Sequence, residues 1–143
     1  MYKIELIEKL LDKKDEIINL LSQLSNTKYI SNDELFYFLL NKPDNYLIYI
    51  CIHTDNNKLV GIITVFIERK LIHNLGKVAH IEDLVVDKDE RGKNVAEKLI
   101  NKCVEYAKSE NCYKIILNCS ENLIKFYEKK NFFNSGYQMR MNI

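Results

Sequence analysis

Strands alternating with helices through the second half of the chain predict an α/β protein, with one mixed sheet and helices packed on both of its faces. Two observations carry this. Residues 81–86 are an apolar run broken only by Glu82 and Asp83, and shortly after it Val95, Ala96, Leu99, Ile100, Cys103, Val104 and Ala107 recur with helical spacing. Upstream, residues 46–52 and 59–67 are β-branched and aromatic runs separated by Asp55-Asn56-Asn57, a hairpin marked by its turn residues.

The elements follow in order. Residues 2–7 read as a short first strand. Leu10, Leu11, Ile17, Ile18, Leu21 and Leu24 share one helical face, which predicts a helix over residues 10–24. Ser31 followed by Glu34 is a capping-box pattern, with Ile30 and Leu35 spaced for a hydrophobic staple, so a second helix is expected over residues 32–40. The only proline, Pro43, stands just beyond it. The hairpin comes next, then a polar connection over 68–76, then the strand and helix already described. Residues 112–119 (CYKIILNC) read as another strand, 121–130 as a short helix and 132–143 as a last strand.

Composition narrows the function. The 143 residues are 47% hydrophobic and 29% charged, as in one globular domain. A formal net charge of +1 gives no electrostatic case for nucleic acid or an anionic membrane. No apolar run approaches the roughly 20 residues of a membrane span. Charged residues among the first twelve argue against a secretory signal, so the cytoplasm is the expected compartment. Cys51, Cys103, Cys112 and Cys119 form no C-x-x-C pair, and His53, His73 and His80 lack metal-ligand spacing. Cys119 reads as a small buried hydrophobe.

Between the strand at 81–86 and the helix beginning near Val95 lies Arg91-Gly92-Lys93. The first turn of a helix leaves backbone N–H groups without partners, and its dipole favours negative charge. A strand, a short turn with a small residue and a helix start therefore form a place to hold a phosphate-bearing ligand.

The turn runs Arg91-Gly92-Lys93-Asn94-Val95-Ala96, close to the pattern Q/R-x-x-G-x-G/A. With the element order it resembles the pyrophosphate-binding turn of the GNAT superfamily of acetyl-CoA-dependent N-acetyltransferases. Residues 67–73 (IERKLIH), 80–86 (HIEDLVV), 112–119 and 126–129 (FYEK) resemble the branch acting on glucosamine 6-phosphate. The likeness is close from Ile67 onward and one of element order before it. It implies a GNAT fold, a mixed, mostly antiparallel sheet flanked by helices on both faces. It also implies acetyl-CoA as co-substrate, no metal, a sugar-phosphate acceptor on the route to UDP-N-acetylglucosamine, and a homodimer.

Acetyl transfer to an amine needs a neutral amine, a polarised thioester carbonyl, a proton for the departing thiolate and both substrates held in line. Glu82 is the candidate for steering or deprotonating the amine, directly or through a water; alternation puts its neighbour Asp83 on the opposite sheet face. The resemblance makes the Leu84 backbone N–H the partner of the thioester carbonyl, with Asp83 and Val85 alongside the cofactor. It makes Tyr127 the donor to the sulfur, and a phenol of pKa near 10 suits a thiolate whose conjugate acid is about 8.5. Asn118, where the family usually has an acid, would accept from the sugar amine through its main-chain carbonyl. Arg91, Gly92, Lys93, Asn94, Val95 and Ala96 are expected at the pyrophosphate, with Asn122, beside Leu123, as a further cofactor contact.

Asn94 and Asn131 stand where the family has glycine. Asparagine is the next most tolerant of left-handed φ, so both turns are expected to keep their shape, with the Asn94 side chain swung away from the phosphates. For the sugar phosphate the candidates are Lys70, His73 and Asn26. Arg140, two residues before Asn142 on the same face of the last strand, stands near an arginine that the family draws from a partner subunit. Two alternatives stay open: a GNAT enzyme for another small amine or a protein N-terminus, and a catalytically silent acyl-CoA-binding module.

Overall fold

The computed structural model describes residues 1–143 and contains one five-stranded sheet of order β1-β2-β3-β4-β5, built from Tyr2–Leu6, Tyr46–His53, Lys58–Arg69, Lys77–Val86 and Lys114–Ile116. The first three pairings are antiparallel and only β4 with β5 is parallel, as the expected mixed sheet requires. The helices are α1 (Lys14–Leu21), α2 (Asn32–Asn41), α3 (Val95–Ser109) and α4 (Ile124–Glu128).

Adjacent side chains on the strands point to opposite faces, and each face has its own core. Ile63, Val65 and Ile81 pack with Leu99, Ile100 and Cys103 of α3 on one side. Ile48, Ile50 and Ile62 pack with Ile17 and Leu20 of α1 and Leu39 of α2 on the other. Burying a residue such as Leu99 contributes roughly 1.5–3 kcal/mol, so the spacing of α3's apolar face is enough to hold it on the sheet. Gly61 lets it lie close: a Cβ there would stand 2.8 Å from Leu99 Cδ1 and 3.0 Å from Val95 Cγ1.

The start of α2 follows its sequence signal. Glu34 N–H donates to Ser31 Oγ, and Ser31 N–H donates to the Glu34 carboxylate, closing the capping box. In the hairpin, Asn57 takes the positive φ expected of its turn. The first helix is shorter than its apolar stripe implies. Residues 7–13 form two 3-10 turns, α1 begins only at Lys14, and Leu11 and Leu24 stay exposed. The stripe overran because Leu10 adopts a non-helical conformation, φ −135° and ψ 40°, which breaks the run.

Two strand expectations are corrected. Only residues 114–116 of the 112–119 run pair, because the one neighbour, β4, pairs with them no further than His80. Residues 132–143 form no strand. Beyond Phe132 they are an arm with no partner strand in the chain, and Tyr137, Met139, Met141 and Ile143 are exposed along it. The 121–130 helix is also divided, into a 3-10 turn over Glu121–Leu123 and the five residues of α4.

Candidate active site

The parallel pairing of β4 with β5 runs Val78–Lys114, Ala79–Ile115, His80–Ile116 and then stops. From Ile81 to Val86 the β5-facing edge of β4 has no strand beside it, so the sheet is splayed there. Within that stretch β4 bulges: Ile62 pairs with Val85 and Thr64 with Glu82, leaving Asp83 and Leu84 opposite the single residue Ile63. Asp83 sits at φ +51°. Leu84 therefore has no register partner on β3.

The bulge overturns one expectation. Simple alternation puts Asp83 on the face opposite Glu82. Instead Asp83 lines the same cavity as Thr64, the cross-strand partner of Glu82, because the extra residue resets the pleat. That cavity, about 290 Å³, lies between α1, α2 and the sheet, and its walls are mostly apolar, among them Ile17, Leu35 and Phe38. Glu82 is half-buried, Leu84 packs against the α3-side core, and Val85 is buried in the α1-side core. Val85 thus offers backbone alone to a ligand.

The turn before α3 is braced by carboxylates. Asp87 accepts from the Asp89 N–H at 2.9 Å and pairs with Lys58 at 3.1 Å, while its own N–H donates to Val60 O. Burial pushes its pKa up, but the Asp89 amide and the Lys58 ammonium outweigh that and hold it low. Glu90 accepts from Tyr2 Oη at 2.6 Å and pairs with Lys93 at 3.2 Å. Those partners lower the Glu90 pKa against a smaller burial effect, and the hydrogen bond to Glu90 raises Tyr2 to about 12. Arg91 Nε–H donates to Val86 O, with the residue otherwise exposed.

Between these braces Gly92 takes φ +77° and Asn94 φ +62°. Asn94 does adopt the left-handed conformation of the family glycine. It is exposed and makes no cap hydrogen bond, so its side chain leaves the helix end open. A Cβ on Gly92 would meet nothing within 4 Å, so there is free space over the turn. The first intrahelical bond beyond the turn is Lys98 N–H to Asn94 O, which leaves the N–H groups of Val95, Ala96 and Glu97 without helix acceptors. Val95 is fully buried and can contribute only its amide. Lys93, expected at the pyrophosphate, is engaged by Glu90. The open amides and free space fit a diphosphate.

Tyr127 is buried in α4, edge-on to Phe126 and Phe132. Burial raises its pKa, and the nearby Cys119 thiol raises it further, so the phenol holds its proton. The turn that follows α4 closes at Asn131, which takes φ +64° where the family has glycine, and Phe132 N–H returns to Tyr127 O. Asn118 and Cys119 lie beyond the end of β5 and are exposed, so Cys119 is not the buried hydrophobe its strand-like context suggested. Asn122 is exposed in the following 3-10 turn, accepting from Ser120 Oγ at 2.5 Å.

The acceptor-side candidates are less gathered. Lys70 and His73 share one tight turn, closed by Lys70 N–H to Gly76 O and carried by left-handed residues at His73, Asn74 and Leu75. His73 packs on Tyr113, ring centroids 4.3 Å apart. Asn26 is exposed in the loop between α1 and α2. Arg140 lies on the unpaired arm and donates to Asn142 Oδ1 at 2.7 Å; with no strand formed there, the shared strand face expected for the two does not exist.

The sequence reading missed the partners of Lys70. Its ammonium lies on Glu68 Oε1, and the other oxygen of that carboxylate accepts from His80 Nε2 at 2.7 Å. His80 stacks on Phe66 and Phe66 on Tyr46, with centroids 4.5 and 5.8 Å apart. The signal was present in the i, i+2 spacing of Thr64, Phe66 and Glu68 opposite His80 and Glu82, one face of two paired strands.

The model of the acetyltransferase (GNAT) family matches residues 14–132. Glucosamine 6-phosphate N-acetyltransferase 1 of Dictyostelium discoideum is 38% identical over 121 residues, 83% of this chain and 77% of that protein. The Arabidopsis thaliana glucosamine 6-phosphate N-acetyltransferase is 36% identical over 96% of this chain and 94% of its own. The crystal structure of glucosamine-6-phosphate N-acetyltransferase from Arabidopsis thaliana superposes with a TM-score of 0.91 at 34% identity, covering 99% of this chain and 98% of that one. A Trypanosoma brucei acetyltransferase structure does so at 0.92 with 28% identity over the full length of both.

Proposed function

The chain belongs to the acetyltransferase (GNAT) family, and from that premise we propose that it transfers the acetyl group of acetyl-CoA to the amine of D-glucosamine 6-phosphate. The products are N-acetyl-D-glucosamine 6-phosphate and CoA, a step toward UDP-N-acetylglucosamine. The observations that support the reading are the end of the β4–β5 pairing beside the bulge in β4 and the open amides at the start of α3.

In this reading Arg91, Gly92, Asn94 and the first amides of α3 hold the pyrophosphate, and Asn122 adds a polar contact. Leu84 N–H takes the thioester oxygen and stabilises it as negative charge develops. The sugar amine, whose pKa lies nearer about 8 than a lysine's 10.4, needs little general-base help. Glu82 accepts its proton through a water, and the Asn118 carbonyl orients the nitrogen. Tyr127 Oη–H protonates the departing thiolate. Lys70, His73 and Asn26 face the phosphate, with Arg140 contributed by a partner subunit.

A homodimer and a cytoplasmic location complete the proposal. The exposed apolar side chains at 137, 139, 141 and 143 recur every second residue, as in a strand awaiting a sheet, which supports a dimer. No helix is long and apolar enough to cross a membrane.

A panel of amines with a free-thiol readout tests the acceptor. Glucosamine 6-phosphate is expected to exceed unphosphorylated glucosamine in kcat/KM by about 100-fold, the scale of a lost charge-assisted contact. Equal rates on the two sugars overturn the acceptor assignment; tight acetyl-CoA binding with no thiol released by any amine overturns catalysis.

A further inference from the structure

Two neighbouring lysines at the start of α1 are buried, each only 8% exposed. Lys13 is compensated by the Glu16 carboxylate at 2.8 Å, whose other oxygen accepts from Leu59 N–H at 2.9 Å. Lys14 is not. Its ion-pair partner is Asp15 at 3.6 Å, whose side chain is 92% exposed, and a pair so open to water contributes little. As the first residue of α1, Lys14 also stands where the helix dipole disfavours a cation. What its ammonium does engage is the chain between α1 and α2. It donates to Ile30 O at 3.1 Å, reaches Tyr29 Oη at 3.4 Å and lies 4.5 Å from the centre of the Tyr29 ring.

That connection has little else to hold it. Residues 26–30 belong to no helix or strand and make no backbone–backbone hydrogen bond. Upstream the chain is tied at Ser25, whose N–H donates to Leu21 O, and downstream at the capping box of Ser31 and Glu34. Ile30 and Lys14 line the cavity that Thr64 and Asp83 also line.

We infer that Lys14 is a positioning residue for the acceptor: its ammonium straps residues 26–30 against this cavity and so fixes where Asn26 meets the substrate. The inference rests on Asn26 being a substrate contact in the function proposed above. Without the strap the loop spreads over many conformations, and apparent affinity falls with the fraction that presents Asn26 correctly. Cofactor binding is spared, because α3 packs on the other face of the sheet in a separate core.

The test compares the full-length protein with Lys14→Met, which keeps the apolar stem and removes the charge, and Lys14→Arg, which keeps donors and a cation over the ring. Lys14→Met is expected to raise KM for glucosamine 6-phosphate about tenfold, the scale of a lost charge-assisted hydrogen bond, with kcat and acetyl-CoA affinity little changed. Lys14→Arg should return KM close to the parent value. In an Asn26→Ala background Lys14→Met should add nothing further, since the loop then has no contact to present. A second readout needs no substrate: trypsin cuts after Lys28, exposed in the loop, and that cleavage should be about tenfold faster in Lys14→Met than in the wild type or Lys14→Arg. Tyr29→Ala, at an exposed position, covers the case in which Lys14→Met does not fold; it should raise KM about threefold, and no rise there overturns the inference. Unchanged cleavage at Lys28 in Lys14→Met overturns the strap, and faster cleavage with unchanged KM overturns its positioning role. A wild type that does not acetylate glucosamine 6-phosphate fails the proposed function and the positioning role with it, while the cleavage comparison still decides the strap, and so the two failures are distinguishable.

Discussion

Tyr127 is the residue on which the chemistry of the proposed transfer turns, and its surroundings suit an acid. Burial comes first among the causes that raise its pKa, and Cys119 adds to it. The raised value means that the neutral phenol is the native form to a higher pH than for an ordinary tyrosine near 10. Removing the hydroxyl should lower kcat by about 100-fold, at the low end for a general acid, with little change in KM for acetyl-CoA. Between pH 8 and 10 the wild-type profile should lose less from this group than an ordinary tyrosine would, since its deprotonation is shifted upward. Stopped assays of Tyr127→Phe across that range check both points, and an unchanged kcat removes the phenol from the mechanism. The residue's place in F-Y-E-K was legible because the resemblance is local. Its burial was not, since Phe132 folds back onto it from beyond the helix end.

Among elements, α3 is the one whose placement matters most, because its first turn supplies the open amides. Its register on the sheet depends on Gly61, across which Val95 and Leu99 pass at distances that leave no room for a methyl group. Gly61→Ala should cost about 1–3 kcal/mol by overpacking and should weaken acetyl-CoA binding as the helix start is displaced. Thermal denaturation with calorimetric titration reads both. A variant as stable and as tight-binding as the parent would mean that the helix is not seated by this contact. The periodicity of α3 was plain from the sequence, as was the capping box of α2, because both depend on residues within one or two turns. The end of α1 was misjudged for the opposite reason: Leu10, Leu11 and Leu24 fit the stripe, but the backbone at Leu10 leaves the helical region.

At the scale of the whole molecule, the arm at 135–143 is the unresolved demand of the fold in the chemical sense: apolar side chains in strand alternation, exposed, with no sheet of their own chain to join. Deleting 135–143 leaves Phe132 in the core and should leave the fold and acetyl-CoA binding intact. It should also convert a dimer to a monomer and lower turnover of glucosamine 6-phosphate at least tenfold, through loss of Arg140 and of the interface. Sedimentation and steady-state kinetics decide this; a full-length monomer, or a truncated dimer of full activity, contradicts the proposed assembly.

The sequence by itself determined the hairpin, the long helix α3, the capping box of α2 and the left-handed asparagines at 57, 94 and 131, since each depends on neighbours a few residues away. It also carried the family, through short segments whose order and gaps survive. Only the tertiary structure decided that the bulge brings Asp83 round to the cavity shared with Thr64, that Lys70 is held by Glu68, that β5 stops at Ile116 and that the last residues pair with nothing in their own chain. The bulge, the end of β5 and the unpaired last residues are settled by what does or does not lie on an adjacent strand, and the grip of Glu68 on Lys70, only two residues away, by side-chain placement that residue spacing alone does not give. A strand's pairing partner and register come from contacts far apart in sequence, and so no local pattern encodes them.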